Sequence, residues 1–278
     1  MANTYANAGT SVGRCNLHRR VTWFLELAVG IVLVTLIGLS MFAYPSADDF
    51  CYAAKTKQLG IWGAGSFWYR HGSGRYTPTL ALSAYWRYGD ILRTYHFAPM
   101  IILVLTWMGF SSLSASIVRG ESRCLPSWLF GAVWTLLFVA GIPDPAQTLY
   151  WVTGSFTYQL GNILVVFLIA MLIRRETAAD SRRFRPVVFL ISLLLVVGAV
   201  GANEISLLLT LMILASGSLY ALRMQRDSRV FWVTLLLIGL WNMFRMPAGN
   251  TSQKLMRWRV GLQFAAICVI AIVLLLRR

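Results

Sequence analysis

The sequence predicts an all-α fold: a polytopic transmembrane helical bundle of about eight spans, with interfacial helices in the first external loop. Of the 278 residues, 58% are hydrophobic and only 13% are charged, and the mean hydropathy is +0.64. Several apolar runs approach the roughly 20 residues that a helix needs to cross a bilayer. The loops on one side of these runs carry more Lys and Arg than the loops on the other side. The predicted spans are 21–44, 97–118, 127–143, 160–173, 186–202, 205–222, 230–245 and 261–276.

The net charge of +15 follows from membrane topology rather than from nucleic-acid binding. Of the 25 Lys and Arg residues, 15 lie on the side of the N-terminal tail and 10 lie on the opposite side. Because positive charge marks the cytoplasmic side of a membrane protein, both termini are expected in the cytoplasm. We therefore divide the chain into a cytoplasmic tail, 1–20, and a transmembrane domain, 21–278. The first span is too long for a signal peptide and is expected to be retained.

The four cysteines predict neither a disulfide framework nor a metal site. Cys15 and Cys124 fall on the cytoplasmic side, Cys268 falls within a span, and only Cys51 falls outside. No two of them share an oxidising compartment, so none is expected to be paired. Their spacing does not match a zinc site either.

Two adjacent carboxylates follow the first span and form the leading candidate site. Pro45 ends the helix because it has no N–H to donate, so Asp48 and Asp49 lie where the chain leaves the membrane. Adjacent carboxylates repel each other, and one of them can serve as a base towards a substrate hydroxyl. The alternative is a solvated turn. The first external loop, 45–96, is long and aromatic, and its apolar run Thr79–Trp86 predicts an interfacial helix.

Other groups on the same side suit a phosphate and a sugar. Arg75 lies in a glycine-containing stretch and can hold a phosphate or contact lipid headgroups. The predicted loop 143–159 carries Trp151, Ser155 and Tyr158. Aromatic faces with hydroxyls nearby suit a sugar, although an aromatic belt beside a tight Gly turn is the commoner explanation for any single Trp.

Two further clusters complete the external side. Asn203 and Glu204 join the fifth and sixth predicted spans. A carboxylate at so tight a membrane turn is costly unless it is paired or faces a wet cavity, and solvation at the interface is the alternative. After the seventh span, Asn250 precedes external cations that predict an anionic partner, either lipid headgroups or a phosphate substrate. These cations are Lys254, Arg257 and Arg259.

Five short elements, in this order and on one side, resemble a known family. They are Asp48-Asp49-Phe50, Ser73-Gly74-Arg75-Tyr76, Trp151-Val152-Thr153-Gly154-Ser155 with Tyr158, Asn203-Glu204, and the Pro-Gly-Asn-like Met246-Pro247-Ala248-Gly249-Asn250. The chain thereby resembles the GT-C superfamily of membrane glycosyltransferases, in a poorly characterised bacterial branch. The resemblance implies transfer of a sugar, with inversion, from a polyprenyl-phosphate donor to an acceptor hydroxyl. It also implies a bacterial plasma membrane and an external active site.

The resemblance also implies roles for individual residues. Asp48 is the expected catalytic base, and Asp49 is expected to orient it or the acceptor. The expected donor phosphate-binding residues are Arg75, Lys254, Arg257 and Arg259, and the expected sugar- or acceptor-binding residues are Trp151, Ser155, Tyr158, Asn203, Glu204 and Asn250. The expected partners are a polyprenyl-phosphate-linked sugar, a glycan or lipid-linked acceptor and membrane lipids, but not nucleic acid. No cofactor is expected, and a divalent metal is left open.

Two features depart from the family pattern. Ala248 splits the expected Pro-Gly-Asn, and the chain ends after eight predicted spans, where such enzymes commonly have more spans and an external domain. A C-terminal truncation or an inactive form is therefore also expected. Two other functions stay open: a transporter or lipid flippase, which would need polar groups near the bilayer midplane, and a non-catalytic membrane scaffold, which would leave the carboxylates and exposed cations unexplained.

Overall fold

The computed structural model describes residues 22–118, 126–177 and 185–245, together with single positions between 258 and 273. Throughout these residues the regular structure is helical and no strand occurs, which confirms the all-α prediction. The helices are α1 (Thr22–Phe42), α2 (Ala47–His71), α3 (Tyr76–Tyr88), α4 (Phe97–Ile117), α5 (Ser127–Gly141), α6 (Val152–Thr177), α7 (Arg185–Val200), α8 (Glu204–Arg223) and α9 (Arg229–Arg245).

Four of these helices, α1, α4, α6 and α8, are long and apolar enough to cross a membrane. Helices α5, α7 and α9 are apolar but have only 15, 16 and 17 residues. They fall short of the roughly 20 residues that match the hydrocarbon thickness. The predicted eighth span, 261–276, is described only at single positions. The structure thus contains four described helices with the length and composition of membrane spans, and the prediction of eight spans is not confirmed.

The helices form one continuous set of neighbours. Helix α4 packs against α5 and α6, and α6 leads through α7 to the pair α8 and α9. Val29 of α1 packs beside Leu129 of α5. Helices α2 and α3 pack on each other and cover one end of this bundle, where α1 and α7 end and where α6 and α8 begin. We call this end the carboxylate end, because Asp48, Asp49 and Glu204 lie there.

The predicted first external loop, 45–96, is largely helical. Helix α2 begins after Pro45, and the Ser46 N–H donates to the Asp49 carboxylate at 3.0 Å, as in a capping box. The predicted interfacial run Thr79–Trp86 lies within α3. Helix α3 approaches the end of α7 closely at Gly201. An ideal Cβ at this position would lie 2.0 Å from the Tyr76 ring, so only glycine permits the approach.

The prediction of a loop over 143–159 is wrong for most of that range. A π-helical turn spans Ala146–Tyr150, and α6 begins at Val152 and passes through a π-helical segment at Ser155–Gln159. The helix extends further than its apolar run because its first N–H groups find acceptors outside the helix, which relieves the usual cost of a buried helix end. A π-helical segment of this kind is often found at a functional site.

Candidate functional site

Asp49 is the centre of the carboxylate end. Its side chain is fully buried and accepts four hydrogen bonds from three parts of the chain. One oxygen, Oδ2, accepts from Ser46 N at 3.0 Å and from the Tyr95 hydroxyl at 2.9 Å. The other, Oδ1, accepts from Thr153 N at 3.0 Å and from Thr153 Oγ1 at 2.6 Å. Because an ionised carboxylate has about four acceptor sites, Asp49 has none left for a substrate proton.

Asp49 and Tyr95 together act as the N-terminal cap of α6. The Tyr95 hydroxyl accepts from Val152 N at 3.2 Å, and Asp49 accepts from the next residue, Thr153. The negative charge therefore sits at the positive end of the helix dipole, where it is stabilised. Burial raises the pKa of Tyr95, and the charge of Asp49 raises it further. The phenol thus stays protonated and able to donate to the carboxylate.

Asp48 faces away from this buried cluster. Its side chain is exposed and makes no hydrogen bond to any residue in the part of the chain that the structure describes. Burial raises the pKa of Tyr52, one turn further along α2; the charge of Asp48 raises it further and that of Arg75 opposes it. Asp48 and Arg75 therefore act on one phenol. Tyr52 stacks on Trp68 with ring centroids 4.5 Å apart, which fixes its position.

A cavity of about 650 Å³ opens at the carboxylate end, and Ser46 lines it whereas Asp48 and Asp49 do not. This volume lies within the range of about 300–1,000 Å³ that is typical of ligand pockets. Its walls come from the connection between α1 and α2 and from the π-helical turn before α6; the lining includes Phe42, Tyr44, Ser46, Gln147, Tyr150 and Trp151.

Two sets of hydrogen bonds fix the positions of the cavity walls relative to each other. The Tyr150 hydroxyl donates to Leu36 O on α1 at 2.9 Å, and the bonds of Asp49 connect Ser46 to Thr153. The indole N–H of Trp151 is buried and has no partner among the described residues. An unpaired buried donor is costly, and this nitrogen is not accessible from the cavity.

Arg75 lies at the carboxylate end but is already paired. It donates to Glu204 through Nη2 at 2.6 Å and through Nε at 3.3 Å, and its guanidinium carbon is 5.7 Å from the centre of the Tyr158 ring. Burial by itself lowers the pKa of Arg75, but the hydrogen bond and charge of Glu204 outweigh it, so the pKa is raised overall. The predicted phosphate-binding cation is thus neutralised by the predicted acceptor-binding carboxylate.

The remaining predicted site residues lie at different depths. Asn203 is the N-cap of α8: its Oδ1 accepts from Ser206 N at 2.9 Å and its Nδ2 donates to Thr157 O at 3.0 Å, so it joins α8 to α6. Ser155 is fully buried and donates to Val152 O, whereas Tyr158 is 49% exposed. The structure therefore brings most of the predicted residues to one end. Their roles in binding or catalysis stay predictions.

Asn250, Lys254, Arg257 and Arg259 lie outside the described residues. Their roles in binding phosphate, sugar or acceptor stay predictions. Over the described ranges, no group of three or more His, Cys, Asp or Glu side chains is arranged to hold a metal ion.

Comparison with known proteins overturns the resemblance to a family. The family model that matches is described as a hypoxia induced protein conserved region, and it covers residues 230–273, which is 44 of the 278 residues. No curated protein and no solved structure matches the chain. The identification as a member of the GT-C superfamily is therefore wrong. Its five elements are two to five residues long, and such short runs recur in unrelated membrane proteins at interfaces and turns.

The sequence reasoning missed several residues that build the site. Tyr95 and Thr153 donate hydrogen bonds to Asp49. Tyr44, Gln147 and Tyr150 line the cavity. Tyr150 precedes the Trp that was singled out, and Thr153 follows it by two residues. No signal in the sequence marked Tyr95, because its partners are 46 and 57 residues away.

Proposed function

We propose that this chain is a membrane enzyme that transfers a sugar from a polyprenyl-phosphate donor to an acceptor hydroxyl at the carboxylate end. In this proposal the carboxylate end lies on the external face of a bacterial plasma membrane, and both termini are cytoplasmic. The geometry of the site supports transfer with a carboxylate base, while the polyprenyl-phosphate donor and the bacterial membrane are further parts of the proposal. The observation that carries it is the division of the carboxylate pair into a buried Asp49, saturated with hydrogen bonds, and an exposed Asp48 two residues after Ser46, which lines the cavity.

The division gives the two carboxylates different work. A general base needs a free lone pair within reach of the substrate proton, which Asp48 has and Asp49 lacks. The acceptor oxygen attacks the anomeric carbon, its proton passes to Asp48, and the bond to the phosphate oxygen breaks with the electron pair leaving on the phosphate. Asp49 is a positioning residue: it fixes the start of α2, and so the direction of Asp48, against the start of α6.

The cavity supplies surfaces that suit a sugar. Tyr44, Tyr150 and Trp151 offer aromatic faces on which the C–H face of a pyranose can pack, and Ser46 and Gln147 offer hydrogen bonds to its hydroxyls. The walls are held by Tyr150 and Asp49 before any ligand arrives, which lowers the cost of ordering them on binding.

The leaving phosphate needs cations, and Arg75 is the described candidate. Its two bonds to Glu204 use the edge formed by Nε and Nη2, so the remaining N–H groups on Nη1 and Nη2 can bind a phosphate while the ion pair persists. Lys254, Arg257 and Arg259 complete the proposed phosphate site. Electrostatic stabilisation of the developing charge is usually the largest single contribution to such a reaction.

The test compares two single-atom changes on this end of the molecule. Asp48→Asn keeps the size of the side chain and removes its basicity, so transfer in proteoliposomes from a polyprenyl-phosphate sugar should fall about 100-fold or more. Asp90→Asn is the control: Asp90 is exposed and caps the turn at Leu92 and Arg93. Equal rates for the two variants would remove Asp48 from the chemistry. Absence of any transfer or sugar binding by the wild-type protein across a panel of such donors would refute the proposed function.

A further inference from the structure

A chain of polar side chains crosses the contact between α4 and α6. Gln159 Nε2 donates to Thr106 Oγ1 at 3.0 Å, and Asn162 Nδ2 donates to Gln159 Oε1 at 3.2 Å. The Gln159 side chain is only 2% exposed. It lies seven residues after Val152, about 10 Å along the helix axis from the start of α6. Gln159 was predicted to belong to the loop 143–159, and Asn162 lies in the predicted span 160–173.

These two hydrogen bonds leave some donors and acceptors of Gln159 and Asn162 without a partner among the described residues. A carboxamide has two N–H donors and a carbonyl oxygen that can accept twice. Gln159 uses one donor and one lone pair, and Asn162 uses one donor. The Asn162 carbonyl oxygen has no partner among the described residues. Asn162 is half-buried, whereas Gln159 is buried, and a buried donor that stays unpaired in an apolar bundle costs free energy.

A small cavity of about 40 Å³ lies against these groups. A bound water needs roughly 10–15 Å³ of such space and two to four polar partners. Gln159 and Asn162 offer two N–H groups and two oxygens, which is sufficient. The polar lining is Thr106, Gln159 and Asn162, and the rest is apolar, including Phe110 and Phe138.

We propose that this cavity is a binding site for water, and that the bound water bridges the carboxamides of Gln159 and Asn162. The volume is too small for a sugar or a lipid chain. A metal cation is disfavoured because the residues that line the cavity include no carboxylate to offset its desolvation. The site joins α4 to α6 two turns beyond the point where Asp49 caps α6. This proposal is independent of the proposed transferase activity.

Water-edited solid-state NMR on the full chain in liposomes, with ¹⁵N-labelled Asn, Gln and Trp, tests the site. Magnetisation from water should reach the side-chain amides of Gln159 and Asn162 nearly as fast as that of the exposed Gln147. The Trp86 indole N–H, which is buried in an apolar cluster with no described partner, is the dry control. Transfer to Gln159 and Asn162 as slow as that to Trp86 would show a dry cavity and overturn the proposal.

A cavity-narrowing variant tests the position of the water. Gly109 lines the cavity, and an added Cβ would meet Val166 at 3.5 Å and Phe167 at 3.7 Å, which are ordinary contacts. Gly109→Ala should therefore fold and sharply reduce the water signal at Gln159. Gly38→Ala adds a methyl with nothing within 4 Å and should leave it unchanged. An unaltered signal in Gly109→Ala would place the water elsewhere. A melting temperature that depends on Na⁺ when choline replaces it would identify a cation instead.

Discussion

Replacement of Asp49 by Asn should destabilise the protein far more than replacement of its neighbour Asp48. The amide has a single oxygen, so it can keep the two bonds from Thr153 or the two from Ser46 and Tyr95, but not both sets. Its NH₂ group would face donors on the other side. Hydrogen bonds to a charged group contribute about 1.5–3 kcal/mol each. Losing two of them predicts a loss of about 3–6 kcal/mol, a large part of the 5–15 kcal/mol that typically stabilises a folded domain.

Asp48→Asn is the matched control, because it makes the same chemical change at an exposed carboxylate one position away. A surface substitution of this kind usually changes stability by less than about 0.5 kcal/mol. Thermal unfolding in detergent, followed by tryptophan fluorescence, should place the melting temperature of Asp49→Asn roughly 6–20 °C below that of Asp48→Asn. Melting temperatures within about 2 °C of each other would mean that the buried carboxylate is not the fixed centre of this end.

Three further predictions concern the contacts around α3. A double-mutant cycle on the free energy of unfolding, with Arg75→Ala and Glu204→Ala, should give a coupling energy of about 1–2 kcal/mol. This exceeds the value for exposed pairs, because the two side chains are only 18% and 25% exposed. Additive effects of the two substitutions would contradict a direct pair. Burial raises the pKa of Tyr76 to about 12. The folded chain then keeps a proton that the unfolded chain releases, so stability is complete below about pH 10 and is lost as the pH rises towards 12. Tyr76→Phe should weaken that loss in alkaline unfolding titrations, whereas Tyr88→Phe, at an exposed phenol, should not. Gly201→Ala should lower the free energy of unfolding by about 1–3 kcal/mol, since its Cβ would lie 2.0 Å from the Tyr76 ring. Wild-type stability of this variant would show that the ring can move aside.

The two carboxylates illustrate how far a local pattern can be interpreted. Pro45 and the acidic pair predict a helix end followed by exposed charge, and α2 does begin there. Successive residues of a helix point about 100° apart, so only one of two adjacent side chains can face the interior. Which of them does so depends on Tyr95 and Thr153, which are distant in the sequence and carry no mark of this contact.

The prediction of eight spans shows a different limit. Hydropathy identifies where apolar residues accumulate, and each of the first seven predicted spans overlaps a described apolar helix. It does not give helix length, since polar residues can extend a helix when its end groups are satisfied. Gln159 was thus assigned to a loop, although α6 runs through it and Thr106 of α4 accepts its hydrogen bond.

The sequence by itself determined that this chain is helical and membrane-associated, because apolar content and run length are properties of composition and are independent of which helices meet. It also determined that polar groups concentrate near the ends of those runs. Tertiary structure alone decided that Asp49 is buried and Asp48 exposed, that Arg75 is paired with Glu204, and that a cavity opens between Tyr44 and Trp151. The physical reason is that hydrogen-bond geometry and burial depend on atoms from residues up to 166 positions apart, and local propensity contains no term for such contacts.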